Sequence, residues 1–155
     1  MAKQNYDLSL IGFGNVGTAF ARLLIEKADL LAQDYGFSFR VTGIRTRSRG
    51  TAIDPDGIDL AAALALVEKG GSLDELDKTA FTGSTADFIA QCPADLLVEN
   101  SALSPQDGLP ALDHIRQAMQ AGKHAITANK GPVVFGYQEL MALAKAQGKF
   151  FMFES

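Results

Sequence analysis

One cysteine, Cys92, no tryptophan and two histidines, His114 and His124, stand in a chain of 155 residues. A lone thiol excludes a disulfide framework and a Cys/His zinc cluster within one chain, and two histidines argue against a multi-histidine metal site. Three tyrosines (Tyr6, Tyr35 and Tyr137) and no tryptophan leave no stacking platform for carbohydrate or single-stranded nucleic acid. Positive charge is also short. Lysine and arginine number 14 against 18 acids, a net charge of −4 and a pI near 5.1, which disfavours a nucleic-acid partner. The longest uninterrupted apolar run, Leu60–Val67, is far below the roughly 20 residues of a membrane span. No signal-type apolar segment opens the sequence, so the expected compartment is the cytoplasm.

What is present is ordinary globular material, 47% hydrophobic and 21% charged, which excludes global disorder. A chain of this length buries roughly 70% of its unfolded surface and needs no staple. The rhythm is strand, helix, strand. Tyr6–Ile11 is a strand that ends at Gly12. Val16, Ala19, Phe20, Leu23 and Leu24 mark one face of a helix running from Asn15 to about Leu31. Phe37–Ile44 is the second strand, followed by loop over 45–58 with a turn at Asp54-Pro55-Asp56-Gly57. Asp59–Lys69 is helical and closed by Gly70-Gly71; Ser72–Phe81 carries no clear pattern. Ser84, with Asp87 three residues on, caps a short helix that runs up to Pro93.

The second half is clearer. Asp95–Glu99 is a buried-type strand, Ala111, Leu112, Ile115, Ala118 and Met119 are a helical stripe ended by Gly122, and His124–Thr127 is a strand. Tyr137, Leu140, Met141 and Ala144 are a further stripe, ended by Gly148 before a last strand at Lys149–Phe153. Strands alternating with helices predict an α/β fold of the Rossmann type: a doubly wound, mostly parallel sheet with helices on both faces and right-handed crossovers. Residues 1–155 read as one dinucleotide-binding domain with no second domain.

Gly12-Phe13-Gly14-Asn15-Val16-Gly17 is G-x-G-x-x-G, after a predicted strand and opening a predicted helix. Gly12 permits the tight turn, Gly14 lets a diphosphate approach the backbone, and Gly17 lets the helix pack on the sheet. Free N–H groups at the helix start then face the anion. An NAD site carries an acid about 20 residues on, at the end of the second strand, for the ribose 2′-hydroxyl. No carboxylate lies between Ser38 and Ile53; Arg45-Thr46-Arg47-Ser48-Arg49 stands there instead. Guanidiniums and hydroxyls suit a 2′-phosphate, with Arg45, Thr46 and Arg47 as the expected contacts, so NADP is favoured over NAD. A solvated charged loop is the alternative. On the other side of the crevice, Glu99-Asn100-Ser101-Ala102 and Thr127-Ala128-Asn129-Lys130-Gly131-Pro132 follow strands, with Asn100, Ser101 and Ala102 facing the nicotinamide.

Leu10–Gly17, then Gly108-Leu109-Pro110-Ala111-Leu112-Asp113-His114-Ile115-Arg116, then Gly122-Lys123-His124-Ala125-Ile126-Thr127-Ala128-Asn129-Lys130-Gly131-Pro132 resemble the homoserine dehydrogenase family over nearly the whole chain. The glycine motif alone is shared by many oxidoreductases; the Gly-Lys-His…Thr-Ala-Asn-Lys segment is far more specific. The resemblance implies an enzyme that interconverts aspartate 4-semialdehyde and homoserine with NAD(P)H. It places Lys130 in the cleft between cofactor and substrate, for substrate binding or proton transfer. Ser101 stands where the family usually has threonine and keeps the hydroxyl. His114 and His124 are expected to be structural, and Cys92 a buried small hydrophobe.

The family's substrate domain follows the sixth strand, where this sequence reaches Phe153-Glu154-Ser155. The resemblance therefore implies that Glu154 is one fragment of an incomplete cation site and that a small amino-acid-like substrate is bound only with the further domain. The 155-residue chain is expected to hold cofactor with little turnover, and exposed apolar residues within Phe150–Phe153 are expected to favour self-association. Three alternatives stand beside it: a non-catalytic NAD(P)-sensing module, the nucleotide-binding half of another amino-acid or semialdehyde dehydrogenase, and a dead paralogue that keeps only the fold.

Overall fold

Gly12, Gly122 and Gly148, the glycines expected to turn the chain between helix and strand, all take positive φ. The computed structural model describes residues 4–154. The elements are β1 (Gln4–Ile11), α1 (Asn15–Asp34), β2 (Phe37–Arg45), β3 (Thr51–Ile53), α2 (Leu60–Glu68), a 3-10 turn (Leu73–Leu76), α3 (Thr85–Gln91), β4 (Leu96–Glu99), α4 (Ala111–Gln120), β5 (His124–Thr127), α5 (Gly131–Gln147) and β6 (Phe151–Phe153). Six strands form one sheet in the order β3-β2-β1-β4-β5-β6. Every neighbouring pair is parallel except β2 and β3.

Alternate residues of each strand point to opposite faces, and the core divides accordingly. Leu8, Leu10 and Val98 pack with Ala21 and Leu24 of α1 and Ala63 and Leu64 of α2. On the other face Ile11 and Leu97 meet Phe88 and Ile89 of α3, and Ala125 and Phe151 meet Ile115 and Met119 of α4 and Leu140 and Ala144 of α5. The chain winds one way from β1 to β2 and the other way from β4 outward. The crevice between β1 and β4 is thus the topological switch point, where open α/β sheets take their ligands.

Four local expectations differ from what is observed. The loop over 45–58 contains β3: Gly50, at φ +81°, closes a hairpin, and Thr51-Ala52-Ile53 are buried against β2. The Ser72–Phe81 stretch holds the 3-10 turn, capped by the Ser72 hydroxyl. In α1 the inward residues are Gly17, Ala21 and Leu24, while Val16 and Leu23 are exposed. In α5 they are Gly136, Leu140 and Ala144, while Tyr137 and Met141 are exposed. A small residue on the buried face lets a helix approach its neighbour closely (Gly17 the Gly12 carbonyl, Gly136 the Leu112 side chain of α4), so a stripe drawn through the larger side chains is rotated away from the true contact.

The expected short helix is α3, with a reciprocal capping box between Ser84 and Asp87. Cys92 is buried, and burial pushes its thiol up to about 11, which leaves it inert at neutral pH. Lys123 is buried as well. Its ammonium donates to the carbonyls of Cys92 (2.6 Å) and Ala94 (3.0 Å), tying the end of α3 to the start of β5, and burial lowers its pKa.

His124 is a structural residue at the start of β5. Its Nδ1 accepts the Phe150 N–H at 3.0 Å, and its ring stacks on Phe150. Burial, then the Lys149 charge, lowers its pKa from the ordinary 6.5. A depressed histidine contributes stability above its unfolded pKa, and loses it as pH falls through that value toward the folded one. The melting temperature is therefore expected to fall as the pH drops through about 6.5. His124→Asn, whose side-chain oxygen accepts the same bond at every pH, should flatten that fall in a calorimetric pH series; an unchanged slope would remove His124 as its cause.

Candidate functional site

Backbone register levels the carboxyl ends of the strands. Arg45 lies beside Ile11, Ile11 beside Glu99, Glu99 beside Thr127, and Thr127 beside Phe153. The segments that follow each strand therefore meet at one edge of the sheet. The Gly12 N–H donates to the Arg45 carbonyl at 2.9 Å, and the Asn100 N–H to the Ile11 carbonyl at 2.7 Å. These bonds join the glycine turn to its neighbours on both sides.

Gly12 sits at φ +91°, and a Cβ there would lie 2.4 Å from the Asn100 carbonyl oxygen. A Cβ on Gly17 would lie 2.4 Å from the Gly12 carbonyl oxygen. Both positions are closed by protein. Gly14 is different: it is exposed, and a Cβ there would meet nothing within 4 Å. The space in front of Gly14 is open to a ligand. Gly14 is the N-cap of α1, and among the described residues no side chain caps that helix. The first-turn N–H groups of Asn15, Val16 and Gly17 have no carbonyl within the helix to receive them, and the helix dipole adds positive potential there. Phe13 is buried in the core and anchors the turn from behind.

A cleft of about 290 Å³ opens beside this turn, lined by Val16, Asn100, Ser101, Leu103, Ala128, Asn129 and Lys130. Asn100 and Ser101 border this cleft, and their Nδ2 and Oγ atoms are buried with no hydrogen-bond partner among the described residues, as is Oε1 of Gln117, which does not line the cleft. Buried polar atoms are nearly always paired, so the two in the cleft wall stand out. Ala102 is exposed at the rim. Lys130 is the N-cap residue of α5 and is exposed, so its ammonium stands at the positive end of a helix dipole. Anions and developing negative charge are favoured at both ends of the cleft.

The arginine cluster lies in the β2–β3 hairpin, next to the glycine turn. Arg45 is half-buried and engaged: its guanidinium donates to Thr85 Oγ1 (2.9 Å) and Thr51 Oγ1 (3.1 Å) and lies over the Phe81 ring. The Thr46 hydroxyl donates to the Gly50 carbonyl and accepts the Arg49 N–H, holding the hairpin closed. Arg47, at the tip, is exposed. Glu154 is exposed beyond β6, and among the described residues no group of three or more His, Cys, Asp or Glu is arranged for a metal ion.

Residue patterns alone missed a buried polar cluster under the cleft, built from Glu99, His114, Thr127 and Asn129. One signal was available. An acid ending the apolar run Leu96-Leu97-Val98 needs a partner if it is buried.

Comparison with known proteins agrees with this geometry. The sequence profile of the family described as homoserine dehydrogenase, NAD binding domain, matches residues 12–154. A homoserine dehydrogenase of Methanocaldococcus jannaschii is 38% identical over 96% of this chain and 44% of its own length. An NAD(+)-dependent homoserine dehydrogenase of Pseudomonas canavaninivorans is 32% identical over 96% of this chain and 42% of its own. Among solved structures, a hyperthermophilic archaeal homoserine dehydrogenase in complex with NADPH superimposes with a TM-score of 0.81 at 29% identity, covering 98% of this chain and 44% of that one. The chain thus spans less than half the length of these relatives. Because that profile matches nearly the whole chain, residues 12–154, the chain belongs to the homoserine dehydrogenase family, as its NAD-binding domain.

Proposed function

We propose that the cleft binds NADP in preference to NAD, and that the domain serves the NAD(P)H-dependent interconversion of aspartate 4-semialdehyde and homoserine. The observation that carries this reading is the open space at Gly14 and the uncapped start of α1, beside a cleft bordered by Val16, Asn100, Ser101 and Lys130. The residues fit a dinucleotide. Gly12 to Gly17 would hold the diphosphate, Asn100 and Ser101 the nicotinamide side near Ala102, and the β2–β3 hairpin the adenosine ribose. NAD(P)H supplies the hydride when bound. Lys130 stands where reduction of an aldehyde develops negative charge on oxygen, and its ammonium stabilises or protonates that oxygen. The relatives span the small amino-acid chemistry named for them, and the substrate class follows from theirs.

The preference for NADP rests on the hairpin. Arg45 ends β2 where an NAD site carries its acid, and the nearby carboxylates are engaged. Asp74 accepts the Thr51 N–H at 2.8 Å, and Asp87 accepts the Ser84 N–H at 2.7 Å. Arg47 and Arg49 are both exposed; Arg49 donates to the Val67 carbonyl at 3.2 Å, and Arg45 and Thr46 shape the hairpin behind Arg47. Turnover by this chain alone is low, because Lys130 and Ala102 are exposed and hydride transfer needs a site closed to water. Phe150, just before edge strand β6, and Met152 on it are exposed and favour self-association.

Calorimetric titration with NADP and NAD separately tests the reading. Arg47→Ala removes a charge-assisted contact of about 1.5–3 kcal/mol, so NADP affinity is expected to fall about ten-fold or more while NAD changes less than two-fold. Equal losses would remove the 2′-phosphate argument, and no heat with either dinucleotide in the unsubstituted chain would end the proposal.

A further inference from the structure

Glu99 ends β4 as a carboxylate with no exposed surface. A carboxylate is tolerated in such a place only when its oxygens are bonded. Oε1 accepts the Ser101 N–H at 3.1 Å and meets His114 Nδ1 of α4 at 3.3 Å. Oε2 lies 3.3 Å from the Thr127 hydroxyl at the end of β5. The Thr127 oxygen in turn accepts the Asn129 N–H at 2.9 Å. Asn129 Nδ2 donates to the Ser101 carbonyl at 3.1 Å and the Ala102 carbonyl at 3.3 Å, and its Oδ1 accepts the Gly131 N–H at 2.9 Å. The bonds close a ring: Glu99 to Ser101, Ser101 to Asn129, Asn129 to Thr127, and Thr127 back to Glu99.

We propose that Glu99, backed by His114, is a positioning residue that locks the segment after β4 to the segment after β5, so that Asn100, Ser101 and Lys130 address one ligand. The proposal rests on the dinucleotide reading above. An apolar residue would fill the end of β4 without the cost of burying charge. Apart from His114, the bonds of the Glu99 side chain go to the two segments that border the cleft. Neither the glycine turn nor the β2–β3 hairpin takes a side-chain bond from the ring. The side-chain bonds of the ring are therefore confined to the nicotinamide half of the site.

That confinement supplies the test. The chain is titrated calorimetrically with NADP and with 2′-phospho-ADP-ribose, which carries the same adenosine, phosphates and ribose but no nicotinamide. Glu99→Leu is expected to weaken NADP about ten-fold or more and to change 2′-phospho-ADP-ribose less than about two-fold. Glu99→Gln, which keeps one acceptor for the Ser101 N–H, should recover part of the loss. Thr127→Val keeps the side-chain shape but breaks the ring between Glu99 and Asn129, and should give a smaller loss, about three-fold, with the same selectivity. If circular dichroism finds the leucine variant unfolded, the valine variant decides. Equal losses with both ligands, or no loss with NADP, overturn the proposal. Failure of the unsubstituted chain to bind either ligand overturns the dinucleotide reading, and this inference with it.

Discussion

Gly14→Val is expected to remove dinucleotide binding while leaving the fold in place. The added side chain enters open space, since nothing lies within 4 Å of a Cβ at this position. That space is where a diphosphate would approach the amides of Asn15, Val16 and Gly17. Losing two bonds from an anion to backbone N–H, at about 1.5–3 kcal/mol each, weakens binding by about a hundred-fold or more. The cost to the fold is the poorer N-cap of α1, about 1 kcal/mol, or a fall of about 2–4 °C in melting temperature. Titration calorimetry and thermal unfolding on the same sample separate the two effects. Near-parental NADP affinity in a folded Gly14→Val chain would sink the diphosphate cradle.

Gly12→Ala is expected to do the reverse and strike the fold first. Its φ of +91° is strained for any residue with a Cβ, at about 1–2 kcal/mol. The new methyl would also lie 2.4 Å from the Asn100 carbonyl oxygen and 2.9 Å from the Ser101 N, both backbone atoms that cannot rotate away. Relieving that overlap pushes β1 and β4 apart at the switch point, for about 1–3 kcal/mol more. The sum is a large part of the about 5–15 kcal/mol that holds a domain together, and a melting temperature lower by about 10 °C is the expected readout. A melting curve unchanged by the substitution would show that the turn has another conformation. Two glycines one residue apart thus separate a position that shapes the protein from one that admits the ligand.

Much of this was legible in the residues. Alternation of apolar runs with helical stripes, punctuated by Gly122 and Gly148, is enough to order β4, α4, β5, α5 and β6, because each boundary carries its own local signal. The Gly12–Gly17 turn is likewise local, and so is the lack of an acid after β2. Less legible were the faces of α1 and α5. Their buried faces run through Gly17 and Ala21 in α1 and Gly136 and Ala144 in α5, residues that carry little hydrophobic signal; Gly17 meets the Gly12 carbonyl and Gly136 meets Leu112 of α4. The short β3 escaped for another reason: three residues gain strand conformation only by pairing with β2, and propensity over so short a stretch is weak.

The roles of the arginines were set by packing rather than type. Arg45, Arg47 and Arg49 are equivalent in the sequence, but folding places Thr51, Thr85 and Phe81 around Arg45 and leaves Arg47 at the hairpin tip. Lys123 and Lys130 diverge in the same way. One is buried against the carbonyls of Cys92 and Ala94, and the other stands exposed on the cleft.

The order of residues by itself determined the class of fold, the glycine turn proposed to receive a diphosphate and the family, since each depends on neighbours within a few positions or on a linear motif. Only the tertiary structure decided which polar groups are paired and which are left unpaired. Glu99 finds His114 and Thr127, while Asn100 Nδ2 and Ser101 Oγ find nothing, because the partners lie 15 and 28 residues away along the chain and meet only when the strand ends are brought level.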